Sequence, residues 1–258
     1  MAITNVSDYQ QQLYLRQIIL PEIGESGQKK LQNSTVLVVG AGGLGSAVLY
    51  YLVASGIGNI ILFDYDKVEL SNLNRQILHN HLNLQQEKIF SAKEKLLALN
   101  PSLNLTLINQ QANVENLVAT MSDCEIAVDA TDNFYTRFII NSVACQLEKP
   151  LVFGAVKAFS GQLALLKPNK KNPCYACFNP NIQTTKCDLP LAEKGILGAT
   201  AGIIGSMQAM EVIKYLLDLH LGVFNKMLVF DFLQQKQKSL LLQKNKNCPH
   251  CSYAISIN

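Results

Sequence analysis

The stretch from Thr35 to Phe63, TVLVVGAGGLGSAVLYYLVASGIGNIILF, decides the fold. It carries no charged residue over a length that could cross a bilayer, but six glycines interrupt it. Between the glycines lie a β-branched run (Thr35 to Val39), a glycine turn, a helix-length segment (Leu44 to Ser55) and a second β-branched run (Asn59 to Phe63). Five-residue apolar runs are what strands buried on both faces need. The stretch therefore reads as strand, crossover helix and strand of a parallel sheet, and not as a membrane span.

The same rhythm continues outward. A helix is expected over Gln86 to Leu99, stopped by Asn100-Pro101, then a strand at Leu103 to Ile108 and a helix at Val114 to Met121. A strand at Glu125 to Ala130, a helix at Phe134 to Leu147 and a strand at Leu151 to Phe153 follow. Alternation at these lengths means an α/β fold with a Rossmann-like, doubly wound, mostly parallel sheet. Past residue 155 the pattern changes to strands at Gln162 to Lys167, Met227 to Phe232 and Lys238 to Gln243, with a helix at Ala199 to Leu217, so the sheet should continue with antiparallel strands. The small residues Ala199, Ala201, Gly202, Gly205 and Ser206 let that helix approach another backbone closely, in the core or at a dimer contact. The chain is read as a single domain: a helical N-terminal extension over 1–33, a nucleotide-binding half over 34–155 and a partner-binding half over 156–258.

Composition excludes several classes. With 258 residues, 48% apolar and 16% charged, the chain can bury a full core and is not disordered. The net charge of +3 is scattered, and the one dense basic run, Lys167 to Lys171, is interrupted by Pro168 and Asn169, so nucleic acid is not implied. Met1 to Tyr9 has neither a basic patch nor an apolar run. No signal peptide is expected, and a cytoplasmic location would keep the seven cysteines reduced.

Gly40-Ala41-Gly42-Gly43-Leu44-Gly45 follows a strand and opens a helix, so its amides can receive phosphate oxygens and its glycines let a ligand come close. The bland reading is a tight turn. Asp64 stands nineteen residues past Gly45, at the end of the second strand, where a carboxylate binds ribose hydroxyls. Alone these features suit a dinucleotide and an NAD(P)-dependent oxidoreductase. Beyond Asp64, however, Asn72 and Arg75 fall just outside the sheet edge where phosphates would extend, and Lys88 follows within reach. Either cation singly reads as a solvated surface charge; together they suit a triphosphate such as ATP better than a dinucleotide. Asp132 sits at the carboxyl end of a strand, beside the crevice where such sheets bind ligands. It could equally cap the helix that starts at Phe134.

Cys174-Tyr175-Ala176-Cys177 and Cys248-Pro249-His250-Cys251 have the knuckle spacing of a tetrahedral four-cysteine site for Zn²⁺. The interval between the pairs is far longer than in a zinc ribbon, so the fold must bring them together. Such a closed site is structural, with redox use of either pair the alternative and His250 a spectator. Cys124 and Cys145 read as packing residues. Cys187 lies in the polar stretch Asn179 to Lys194 beside Lys186, a neighbour that favours thiolate.

The ordered set Arg16-Gln17-Ile18, Gly40 to Gly45, Asp64, Ser71-Asn72-Leu73-Asn74-Arg75-Gln76, Lys88 and Asp129-Ala130-Thr131-Asp132-Asn133 resembles the MoeB/ThiF family, bacterial relatives of ubiquitin-activating enzymes. The resemblance covers nearly the whole chain and includes the two Cys-x-x-Cys pairs. It implies a homodimeric adenylyltransferase in which Arg75 and Lys88 hold the ATP phosphates, Asp64 the ribose and Asp132 the Mg²⁺, while Arg16 reaches into the neighbouring subunit's site. The substrate implied is the C-terminal Gly-Gly of a small ubiquitin-like sulfur-carrier protein, MoaD-like or ThiS-like, for molybdopterin or thiamine-thiazole synthesis. Cys187 resembles in position the cysteine through which ThiF-type enzymes take up the acyl group; MoeB-type enzymes can carry one there without needing it for adenylation, so a plain loop residue is the alternative, and the loop between Cys177 and Cys187 is shorter than the family's. With no rhodanese-like segment before Asn258, a separate persulfide sulfur donor is expected. A non-catalytic, zinc-stabilised partner-binding protein is the remaining alternative.

Overall fold

The structure is a computed structural model that describes residues 6–179, 195–219 and 224–252, with side chains from Tyr9 onward. Two helices, α1 (Val6–Ile18) and α2 (Gly24–Asn33), precede the first strand. Strands and helices then alternate: β1 (Thr35–Val39), α3 (Gly43–Ala54), β2 (Asn59–Phe63), α4 (Lys88–Leu99), β3 (Asn104–Ile108), α5 (Val114–Met121), β4 (Ile126–Asp129) and α6 (Phe134–Gln146). The remainder comprises β5 (Leu151–Lys157), β6 (Ser160–Leu166), the short α7 (Tyr175–Phe178), α8 (Gly198–Leu216), β7 (Lys226–Asp231) and β8 (Lys236–Leu241).

All eight strands form one sheet in the order β3-β2-β1-β4-β5-β6-β7-β8. The first five are parallel, and β6, β7 and β8 continue antiparallel. Strand order reverses between β1 and β4, which opens a crevice at their carboxyl ends. Register places Val39 beside both Phe63 and Asp129. The residues that follow these three, namely the glycine loop, Asp64 and the 130–133 turn, therefore emerge along one edge.

The absence of charge in β1 has its reason in burial on both faces. Val36 and Val38 join the core formed with α3, α4 and α8, whereas Leu37 and Val39 join the one formed with α5 and α6. Among the described residues no helix is long and apolar enough to cross a membrane.

The later strands differ from the sequence reading: β8 spans Lys236–Leu241 instead of Lys238 to Gln243, and the junction of β5 and β6 is displaced. β5 runs through Gly154 to Lys157 and turns at Ala158 (φ +52°) into β6, which starts at Ser160 instead of Gln162. Gly154 is a poor strand former read in isolation, but a Cβ there would stand 2.4 Å from the Gln208 side chain. The helix α8 that carries Gln208 needs that glycine. The sheet thus passes without interruption across residues 155 and 156. The small residues of α8 serve a similar purpose, since a Cβ on Gly205 would lie 2.4 Å from the Leu44 carbonyl of α3. At Gly205 the close approach is within the chain, whereas a Cβ on Gly202 would meet nothing within 4 Å.

Candidate active site and cysteine centre

The loop after β1 needs glycine where the backbone is forced. Gly40 has φ +103°, and a Cβ there would meet the Ala130 carbonyl at 2.8 Å; at Gly45 a Cβ would overlap the Gly40 carbonyl oxygen. The loop is then pinned from three sides. The Gly40 amide donates to the Phe63 carbonyl (2.8 Å) and the Ala41 amide to Asp64 Oδ2 (2.7 Å). His79 Nε2 meets the Ala41 carbonyl at 2.9 Å, and its Nδ1 meets Ser91 Oγ at 2.8 Å. A carbonyl only accepts, so Nε2 carries the proton and Nδ1 accepts from the Ser91 hydroxyl. Burial favours this neutral ring and lowers the pKa of His79, with the Lys88 ammonium acting in the same direction. The first-turn amides of α3 have no intrahelical acceptor and face the crevice end.

Asp64 is held above its ordinary pKa by burial, while the Lys88 ammonium and the amides of Ala41 and Asp66 oppose that rise. Lys88 itself is only 6% exposed and its Nζ lies 2.9 Å from Asp66 Oδ2. The reading of Lys88 as a solvated surface charge is therefore overturned. α4 begins at Lys88 and not at Gln86, because Gln85 turns at φ +66° and Glu87 is extended, so the chain folds back until the Lys88 amide donates to the Asp66 carbonyl. Asn72 closes a short 3₁₀ turn, Leu70–Asn72, and is buried. Half-buried Arg75 folds over that turn, with Nη1 donating to the Ser71 carbonyl (2.8 Å) and to Asn74 Oδ1 (3.2 Å).

The cap of α6 is Asn133, whose Oδ1 accepts from the Thr136 amide at 2.8 Å. Asp132 is not the cap, as one reading of the sequence had it. Its carboxylate stays exposed beyond the end of β4, available to a cation.

Arg16 is not brought to this cluster. Tyr14 packs on the Gly56 turn, where a Cβ would stand 2.7 Å from its ring, and Gln17 Nε2 donates to the Ser55 carbonyl. These contacts fix the end of α1 at the amino end of β2, a strand length of about 17 Å from the loop. Arg16 is exposed there. Cys187 lies outside the described residues.

The two Cys-x-x-Cys pairs do meet. The ligand atoms of Cys174, Cys177, Cys248 and Cys251 lie within 4.8 Å of one another, with Sγ separations of 3.9 Å (174 to 177), 3.6 Å (174 to 248) and 3.4 Å (177 to 251). Four thiols at such spacings fit a tetrahedral ion with bonds of about 2.3 Å, whose ligands stand roughly 3.8 Å apart. None of the four is in a disulfide. Lys244 Nζ, 2.7 Å from Cys251 Sγ, and Asn141 Nδ2, 3.6 Å from Cys174 Sγ, supply outer-shell donors. His250 turns away to the Ser142 hydroxyl. Cys124 is a packing residue, its thiol pushed up to about 11 by burial. Cys145 is only half-buried and packs against the cysteine cluster, which its sequence context did not suggest.

Sequence reasoning missed the joint between the two regions. Arg137 Nε lies 3.1 Å from Asp129 Oδ2, both buried, and Nη2 donates to the Thr131 carbonyl at 2.9 Å. The guanidinium stacks against Phe153 (4.8 Å) and Tyr175 (5.6 Å). The available signal was a lone charge within the otherwise uncharged helix FYTRFIINSVACQ.

The fold and site together define a doubly wound nucleotide-binding protein with a tetracysteine centre. Residues 14–250 match the ThiF family, and the chain belongs to it. It is an adenylyltransferase. A sulfur carrier protein adenylyltransferase of Thermus thermophilus is 38% identical over 242 residues, covering 92% of this chain and 89% of that one. The adenylyltransferase and sulfurtransferase MOCS3 of Culex quinquefasciatus is 39% identical over 97% of this chain, which spans 57% of that longer relative. Among solved structures, Escherichia coli MccB bound to MccA-N7isoASN aligns with a TM-score of 0.78 at 22% identity, over 94% of this chain and 75% of that one, a likeness of fold.

Proposed function

We propose that this enzyme adenylates the C-terminal glycine carboxylate of a ubiquitin-like sulfur-carrier protein, MoaD-like or ThiS-like, in molybdopterin or thiamine-thiazole synthesis. The observation that carries the reading is the convergence of the glycine loop, Asp64, Lys88 and Asp132 on the carboxyl edge of β1, β2 and β4, with Arg75 beside the loop. A carboxylate oxygen attacks the α-phosphorus, the bond to the bridging oxygen breaks, and pyrophosphate leaves. Asp64 holds the ribose and the loop amides hold phosphate oxygens. Arg75 and Lys88 offset charge that grows on the leaving group, and Asp132 would hold a Mg²⁺ ion, which would supply further neutralisation there.

The enzyme acts as a homodimer, and Arg16 of the partner subunit completes each site. The position of Arg16 at the opposite end of the sheet from its own loop supports this. Zn²⁺ bound by Cys174, Cys177, Cys248 and Cys251 ties the C-terminal segment to α7, and its binding free energy becomes folding free energy. After adenylation, the Cys187 thiolate displaces AMP from the acyl-adenylate to give a thioester, before sulfur arrives from a separate persulfide donor.

The test is ATP–pyrophosphate exchange with each carrier type. Exchange stimulated by one carrier is the expected result. Absence of exchange with both, together with tight nicotinamide binding, would favour an oxidoreductase.

A further inference from the structure

Gln76 follows Arg75 and is 5% exposed, yet its Oε1 is buried without a hydrogen-bond partner among the described residues. Its Nε2 faces the glycine loop, 3.6 Å from where a Cβ of Gly42 would stand, and nothing else comes within 4 Å of that point. The backbone of the residue is satisfied: its amide donates to the Asn72 carbonyl and its carbonyl accepts from the His79 amide. A buried carbonyl oxygen left without a donor forfeits its hydration with nothing in return. A side chain kept in that state beside a ligand loop is waiting for a ligand group.

We propose that the Gln76 carboxamide reads the terminal Gly-Gly peptide bond of the carrier. This deepens the carrier reading above and rests on it. The chemistry of the orphan atom narrows the choice. Oε1 is an acceptor, so it needs a proton donor, and the phosphate oxygens brought to this loop are acceptors at neutral pH. Of the donors in ATP, the ribose hydroxyls go to Asp64, which is fixed to the Ala41 amide, and the adenine amino group stands on the far side of the ribose from the phosphates this loop receives. A peptide bond offers N–H and C=O side by side and pairs with a carboxamide at two points. The wall beside Gln76 is tight: it is made by Gly42 and by Gly43, where a Cβ would stand 3.2 Å from the Ala201 side chain and 3.5 Å from that of Arg75. A tail without side chains suits such a wall, and any bulkier terminal residue would crowd it.

The experiment pairs Gln76→Met with a semisynthetic carrier whose last residue is N-methylglycine, which lacks the N–H. With wild-type enzyme, the N-methyl carrier should raise the carrier KM about tenfold. Gln76→Met should do the same with the natural carrier, leaving the affinity for a non-hydrolysable ATP analogue within twofold. The two changes together should cost no more than either alone. The carrier-side change needs no enzyme variant to fold. Loss of nucleotide affinity in Gln76→Met, an unchanged carrier KM, or additive effects would each overturn the assignment. Absence of carrier-dependent exchange by the wild-type enzyme would instead overturn the carrier reading beneath it.

Discussion

The nucleotide edge and the cysteine centre are built in opposite ways. At the edge, the glycine loop, Asp64 and the 130–133 turn follow directly from three adjacent parallel strands, and the ligand surface is largely backbone. At the centre, four side chains from segments 74 residues apart converge, and only the fold beneath them makes the cluster. At the edge Asp132 stays exposed, and buried Lys88 pairs with exposed Asp66. The centre surrounds its sulfurs with donors and aromatic rings, including Tyr175 packed between Phe138 and Phe153. Substitutions at the first should therefore remove chemistry and spare the fold, and substitutions at the second should do the reverse.

The largest expected effect is at Lys88. Lys88→Ala should lower carrier-dependent exchange by two to three orders of magnitude, since one lost contact to growing transition-state charge costs about 3 kcal/mol. Circular dichroism should show the fold intact; an exchange rate within twofold of wild type would erase the division between the two regions. Next, breaking the joint should destabilise both. Arg137→Met leaves Asp129 buried without its partner charge, and a loss of about 3–5 kcal/mol in denaturant unfolding is expected.

At the centre, Cys248→Ser should reduce bound zinc from one per chain to none and lower the thermal midpoint, with chelation of the wild type giving the same shift. Metal analysis of protein purified without chelator checks this. The smallest effect is at His79. Its folded pKa lies below 6.5, so the neutral ring contributes stability that is present above pH 6.5 and lost as pH falls towards the lowered folded value. His79→Leu should be less stable at pH 7.5, yet its unfolding free energy should fall less than that of wild type between pH 6.5 and 5.

What the sequence made legible follows the same division. β1, β2 and α5 fall on the expected residues because apolar runs and helix caps are local signals. The glycine loop, Asp64 and Asp132 were placed for the same reason, each lying within a few positions of a strand's end, whereas Arg75 and Lys88 stand well beyond the end of β2 and are carried to the edge by the turns between. The cysteine spacing pointed to a four-cysteine cluster, which the fold does assemble, but could not say which wall of the fold would hold it. β5 was cut short because Gly154 answers to Gln208, 54 residues away. His79, Gln76 and the Arg137–Asp129 pair were missed for a related reason. Their significance lies in partners that only the folded sheet brings within reach.

The most direct measurement of the central claim is the intact mass of a purified carrier after incubation with this enzyme and MgATP. The account predicts a carrier heavier by one AMP, formed by wild type, absent with Asp132→Ala, and lost when the carrier's terminal glycine is removed. A carrier of unchanged mass beside unconsumed ATP, from a correctly folded, zinc-loaded enzyme tested with both carrier types, would contradict it.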